Sequence, residues 1–551
     1  MRIRSWRRGL VAAASLPLAF ALAVPVAVGI TGPTLLFNSQ VNLTAAAPPA
    51  GKVDNFPQNK QNEPTIAIDP VTGALVAGSN DEIDEPLCTG AGTAGSPGNC
   101  PFVDGVGNSG FYVSSDGGAH WTQPAYSGQC GKTIHTLPGY CQLGLASFGD
   151  PVLTVGPALK AGAFSWSNGS VVYYGNLAFP TGGAVPIYAV SRSPDDGATW
   201  MSPVTVSSTT NPVDFNDKPA ISADGNAASP FFGNVYATWT LFEGAGKFGK
   251  SNTFSPEPIV VARSTDGGHT WSRAVRLSQS ANNGSAGGRQ GSAVRTGPDG
   301  SVYVFWRGAI FHHSELLAAI SHDGGATFSG PKPVAQVNDI PSPLSGSSFR
   351  DNSFPSVDVN QATGAIDVVW ADFDAASSTA LIKFTESTNG GATWNAPVTV
   401  GGRQGVFNTF FPSVAVSPDG THVFVGWPLQ TWKPVGAASG AGVVTQGAAF
   451  NVRFNGAWTG GQLLSTASGD PDGSSTNGLT AQFLGDYATA VSTNSTGYFV
   501  WTDSRNSTPC AAVDAFRSGT GAKPNPDLQC PASRTGQLFG NSDIFVGAVG
   551  Y

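Results

Sequence analysis

Charge is what this sequence has least of. Asp, Glu, Lys and Arg together supply 12% of its 551 residues, about half the ~25% of an average soluble protein. The net charge of −8 is spread without acidic or basic runs, which excludes the positive footprint of a nucleic-acid binder. Methionine is nearly absent, with 2 residues. No two cysteines stand in a CxxC pair, so a cysteine-ligated zinc site is not expected. The GxSxG elbow, HExxH, the P-loop and the dinucleotide glycine fingerprint are all missing, and neither a metal nor an organic cofactor is expected. Asp470 to Gly473 reads DPDG, the opening of a calcium loop without its later ligands, and is read as a turn. Beyond Ile30 no apolar run is long enough to span a bilayer as a helix.

What is abundant points one way. Glycine (71 residues), proline (40) and a 40% hydrophobic share predict many short strands joined by tight turns around a large core. Arg2, Arg4, Arg7 and Arg8 precede an apolar run from Leu10 to about Ile30. This predicts an export signal over residues 1–30, either cleaved after Ala23 or Gly29 or retained as an anchor; Arg7-Arg8 admits a twin-arginine route. The protein is therefore expected to be secreted or at the cell surface, with residues 31–551 forming one domain. In that setting an even cysteine count favours disulfides. The local pairs are Cys88 with Cys100, Cys130 with Cys141, and Cys510 with Cys530.

Five segments align without gaps: SSDGGAHW (Ser114–Trp121), SPDDGATW (Ser193–Trp200), STDGGHTW (Ser264–Trp271), SHDGGATF (Ser321–Phe328) and STNGGATW (Ser387–Trp394). The chemistry is that of a turn. Asp116, Asp195, Asp266, Asp323 and Asn389 are placed to accept hydrogen bonds from the amides that follow them. Glycine supplies a positive φ, and the closing aromatic is suited to plugging a gap between sheets. These five residues are therefore expected to be structural.

A second repeat precedes each turn: an apolar strand, a turn, and a second strand that often ends in Trp. PSVDVNQATGAIDVVWADF (Pro355–Phe373) is the clearest copy. Seven starts are found, near Pro64, Pro151, Pro219, Gly291, Pro355, Pro412 and Ala488. Four strands per unit is the signature of propeller blades. The seventh unit lacks a last strand, and Thr34 to Thr44 alternates like one. The expected fold is all-β, a seven-bladed propeller of four-stranded antiparallel blades closed by that N-terminal strand, with six blades as the alternative.

The S-x-D-x-G-x-T-W turns resemble the Asp-box, or bacterial neuraminidase repeat, of the sialidase superfamily, and the likeness runs over roughly residues 60 to 551. The resemblance implies that loops entering each first strand and leaving each second strand share one rim of the central channel, with the repeated turns on the other. The scarce charges gather at those positions. Glu63, Asp150, Asp217-Lys218, Arg289, Arg350-Asp351 and Asp486-Tyr487 precede first strands; Asp81-Glu82, Glu243, Arg307, Asp372 and Asp503 with Arg505 follow second strands. By resemblance, Arg289, Arg350 and Arg505 would clamp a carboxylate, with Arg307, Asp372 and Asp503 as further substrate contacts. Tyr487 would be the nucleophile with Glu63 as its partner, and Asp81 or Asp150 the acid. Arg350 with Asp351, and Arg505 with Asp503, are also spaced to form internal ion pairs. The expectation is an exo-acting glycosidase whose partner is a glycan or cell-surface polysaccharide, working as a monomer. The alternative is a non-catalytic propeller that binds a glycan or protein or scaffolds the envelope.

Overall fold

In the computed structural model the described residues are 32–88, 100, 102–126, 134–183, 185–207, 214–243, 257–279, 289–310, 313–432 and 444–551. The expected export signal and Cys130 lie outside them. Alternating strands form seven antiparallel sheets in chain order. Blade 3 is the simplest: Phe215–Ala223, Val235–Phe242, Ile259–Ser264 and Val275–Arg276 pair in sequence. Blades 4 and 5 repeat that order over Gln290–Val337 and Ser356–Gly401. Blades 2 and 6 each add a short strand, Leu145–Ser147 and Phe407–Thr409, alongside the first. Blade 1 has three strands, Gln61–Ile68, Leu75–Asp81 and Ser109–Ser114, and only a bridge from Val113 to Thr122 in the fourth place.

The seventh blade closes the ring as the alternation predicts. Its strands are Thr489–Ser492, Thr496–Asp503 and Asp543–Gly550, and the outer place is taken by Thr34–Gln40, antiparallel to the last. Pairing the two removes exposed strand edges that would otherwise template aggregation. The compact unit so formed spans Pro33–Tyr551. Among the described residues no helix is long and apolar enough to cross a membrane.

Core packing follows the repeat. Trp239, Trp306, Trp370, Trp427 and Trp501 occupy the same place on five second strands and are all fully buried. In the repeated turns, Ser264 Oγ donates to Asp266 Oδ1 at 2.8 Å, and Asp266 accepts the Thr270 amide at 2.9 Å and its hydroxyl at 2.6 Å. Asp116, Asp195, Asp323 and Asn389 accept the amide four residues on in the same way. The aromatic at the end of the turn then packs edge-on against a ring of the preceding blade, Trp200 on Phe111 at 5.0 Å and Trp394 on Phe305 at 5.9 Å, a geometry each pair favours by about 0.5–1.5 kcal/mol beyond burial.

A satellite core lies apart from the blades. It joins Phe56, Leu479, Val513 and Phe539 to the disulfides Cys88–Cys100 and Cys510–Cys530. Two helices, α1 (Ala511–Arg517) and α2 (Pro526–Gln529), belong to the long excursion between the second and third strands of blade 7.

Candidate functional site

The inner strands of all seven blades line a central channel of about 1120 Å³. Where the chain enters a first strand, several blades distort. Register slips between Asn62 and Thr65, Asp217 and Ala220, and Gln290 and Ala293. Each slip is a bulge, which re-aims a side chain. Glu63 (φ 54°), Asp150 (φ 49°), Lys218 (φ 50°) and Phe411 (φ 43°) adopt left-handed backbone there, and each precedes a proline. Side chains with a β-carbon resist this conformation, at a cost of about 1–3 kcal/mol each, and such strain gathers at functional sites.

Three of these strained residues are charged and meet one another. Lys218 Nζ lies 3.2 Å from Asp150 Oδ2, 3.5 Å from Glu63 Oε1 and 4.0 Å from Asp217 Oδ1, and pairs with Asp486 Oδ2. Arg350 grips Asp486 with two nitrogens, at 2.6 and 2.5 Å, and approaches Glu63 at 3.6 Å. Asn80 ties the acids together, donating to Glu63 Oε2 at 3.1 Å and accepting the Asp150 amide at 2.7 Å. Tyr487, on the channel wall, donates to the Pro151 carbonyl at 3.0 Å.

Burial and neighbouring charge set the protonation of the cluster. Burial first, then the charge of Asp150, holds Glu63 well above the usual carboxyl range, against the pull of Lys218. Burial likewise raises Asp150, which accepts a hydrogen bond from Glu63. Burial thus opposes the charge of both acids. Asp486 goes the other way: burial opposes its charge, but Lys218 and Arg350 prevail and keep it ionised. Lys218 is desolvated yet held well above its ordinary value by Asp150, Asp486 and Glu63. Burial, then Glu63 and Asp150, raise Tyr487 far above an ordinary phenol, so it is a neutral donor.

Beside the channel mouth is a second cavity of about 250 Å³, to which Asp150, Asp217, Lys218 and Arg350 contribute. Phe102, Phe148, Phe179, Phe215 and Phe483 also line it, and Phe148 packs edge-on against Phe102 at 4.8 Å and Phe179 at 4.4 Å. The Arg350 guanidinium sits over Phe483 at 5.0 Å from the ring centre. At the back, Lys60 pairs with Glu82 at 2.5 Å. Acid, carboxylate, cations and aromatic faces therefore converge on one opening.

Of the site residues expected from the sequence, Glu63, Asp150, Arg350 and Tyr487 come together here, with the rim charges Asp217, Lys218 and Asp486. The others are held elsewhere. Asp81 is buried in blade 1 and accepts from Gln61, Ile83, Tyr112 and Gln123. Asp372 accepts from the Asn338 amide and the Trp370 indole, and Asp503 from the Trp501 indole; in both, a Trp-x-Asp step on one strand face satisfies a buried N–H. Arg505 does close on Asp503, at 3.0 and 2.8 Å, and lies over Phe545. Arg350, by contrast, pairs with Asp486 rather than with its neighbour Asp351, whose carboxylate accepts the Leu344 amide. Arg307 pairs with Asp339. Arg289 is buried beside Glu257, which accepts its backbone amide at 3.1 Å. Of the three arginines expected to form a clamp, Arg350 stands in the cluster, Arg289 beside Glu257 and Arg505 on Asp503.

Lys218 and Asp486 were legible as rim charges but not as the hub. Lys60, Asn80, Phe102 and Phe483 carried no repeat signal at all. Among the described residues no group of three or more His, Cys, Asp or Glu is placed to hold a metal.

No protein-family model matches this chain, and no curated protein does. Solved structures do. The α-L-arabinanase of Penicillium chrysogenum is 13% identical, covering 72% of this chain and 94% of its own, with a TM-score of 0.38. The α-L-arabinofuranosidase of Fusarium graminearum is 13% identical over 70% and 92%, with a TM-score of 0.40. A Hadza microbial sialidase is 13% identical over 86% and 94%, with a TM-score of 0.38. The propeller assignment rests on the sheet order itself.

Proposed function

We propose that this protein is an exported, Asp-box propeller of the sialidase superfamily type that cleaves glycans at the mouth of its channel. One observation carries the reading: a buried acid pair whose charge burial opposes, Glu63 with Asp150, beside Lys218 and Arg350 at an aromatic-walled cavity. Glycoside cleavage needs a group that is still protonated near neutral pH to protonate the leaving oxygen. Asp150 borders the cavity and protonates the departing oxygen as the glycosidic C–O bond breaks and water adds to the sugar carbon; Glu63 behind it is a positioning residue that passes its own proton on to Asp150. Arg350, whose side chain is 56% exposed, offers an edge of its guanidinium to an anionic sugar. The phenylalanines receive apolar sugar faces. The disulfides and the leader-like N-terminus fit work outside the cytoplasm.

The test is release of sugar by the purified protein from sialosides, neutral glycans and uronate polymers. Asp150→Asn is expected to lower turnover about 10²–10⁴-fold, the usual worth of a general acid, with binding retained. Arg350→Ala should instead weaken binding of an acidic glycan, by about 1.5–3 kcal/mol for a lost charge-assisted contact. If the wild type releases nothing from any panel while a glycan array finds a ligand that Arg350→Ala loses, the enzyme reading fails and a glycan-binding propeller stands in its place.

A further inference from the structure

Behind the cavity wall, within the satellite core, lies a set of buried oxygens with too few donors. It is built from the segment entering blade 1 and from α2. Asp54 and Asp527 are both fully buried. Asp54 Oδ1 accepts the Asn55 amide at 2.6 Å and Asn59 Nδ2 at 3.2 Å, while Oδ2 accepts the Phe539 amide at 2.7 Å. The two segments are stitched by Val53, whose amide donates to the Asp527 carbonyl at 2.9 Å. Asp527 stands close enough to Asp54 for their charges to repel. Lys52, approaching from the partly exposed side, answers one of the two charges through Asp527 Oδ2 at 2.5 Å.

Three further oxygens of this group receive no hydrogen bond: Asp527 Oδ1, Asn55 Oδ1 and Asn59 Oδ1. Their residues are at most 2% exposed, so bulk water does not satisfy them. Nor does turning the amides over help. Asn59 Nδ2 is committed to Asp54 and Asn55 Nδ2 to the Ala46 carbonyl, which leaves the oxygens as the spare ends. A buried acceptor without a donor is costly, and a second buried negative charge more so. Native structures resolve such a surplus with ordered water or, where carboxylates gather, with a cation.

We propose that Asp54, Asn55, Asn59 and Asp527 bind a calcium ion that fastens α2 to the segment entering blade 1. The donor set selects the ion. It is all hard oxygen, two carboxylates and two amide carbonyls, with no imidazole or thiolate, which argues against zinc and its neighbours. Calcium takes a mixture of carboxylate and amide oxygens in loose geometry, whereas magnesium demands a near-ideal octahedron and keeps most of its water. The site does not depend on the proposed activity. It does adjoin it, because the fastened segment runs on directly to Lys60 and Glu63.

The experiment uses the whole purified protein, stripped with EGTA, desalted, and titrated with calcium chloride or magnesium chloride while its melting temperature and heat of binding are followed. Calcium is expected to bind at about one ion per chain and to raise the melting temperature, with magnesium at the same concentration doing neither. Asp527→Asn should abolish the calcium-dependent rise, read as the difference between its own melting temperatures with calcium and with EGTA, because the change also takes from Lys52 its carboxylate partner. Asn59→Ala should weaken calcium binding about tenfold or more, and serves if the first variant does not fold. The proposal is overturned if calcium leaves the stripped wild type unmoved. It is equally overturned if both variants keep the wild-type calcium response.

Discussion

At Lys218 a single buried ammonium answers Glu63, Asp150, Asp217 and Asp486. Removing one partner of such a buried network leaves charges uncompensated, which typically costs about 3–5 kcal/mol. Lys218→Met is therefore expected to destabilise the protein by that order, measured by urea unfolding. The loss should depend on pH with a definite sign. Without the cation the acids bind protons more tightly folded than unfolded, so the stability they retain is full below their unfolded values near ~4 and is lost as pH rises. The deficit of Lys218→Met should thus be small near pH ~4 and large near pH ~8; a deficit independent of pH would show that Lys218 contributes packing rather than charge. Which rim charges mattered was partly readable from the sequence, because charge is scarce and Glu63, Asp150, Lys218 and Asp486 recur at strand entries. Which charge each one meets was not. Arg350 passes over adjacent Asp351 for Asp486, 136 residues away, a choice made by the ring and not by spacing.

At the scale of strands the strand–turn–strand repeat was enough to find seven blades, and the missing outer strand of the last one pointed to Thr34 to Thr44, of which Thr34–Gln40 forms the strand. Deleting residues through Thr44 is expected to bare the edge of Asp543–Gly550 and lead to unfolding or aggregation on heating. A chain beginning at Gly32 should behave as the wild type, and equal melting of the two shortened chains would refute the closure. The bulges were invisible beforehand. A slip at Glu63-Pro64 changes which amides pair without changing which residues are apolar, so hydrophobic pattern carries no trace of it. The thinning of blade 1 escaped for a similar reason: Trp121 and Thr122 follow their turn as they do elsewhere, yet only Val113–Thr122 bridges.

At the scale of the whole molecule, two disulfides serve a core that the repeat does not explain. Cys88–Cys100 and Cys510–Cys530 lie in the same satellite cluster with Phe56 and Leu479, next to the segments that supply Lys60, Phe102 and Phe483 to the cavity. Reduction should loosen that cap and leave the blades standing. We expect a fall of about 2–4 kcal/mol per bridge in stability, with the β-sheet circular dichroism of the propeller preserved below the new transition; simultaneous loss of both signals would mean that cap and ring fold as one. Closure of the ring has a consequence of another kind. Leu35 pairs with Val549 and Gln40 with Phe545, so the earliest described strand has no mate until the ribosome has made about 500 further residues. Closing so long a loop adds little entropy beyond that of a shorter one, but it imposes an order of events. A chain truncated anywhere before Asp543 carries an orphan strand at each lip of an open ring and is left recognisable to proteases. The joint between these two strands thus makes ring closure wait on synthesis of Asp543–Gly550, and chains stalled short of it should be the ones that proteolysis removes.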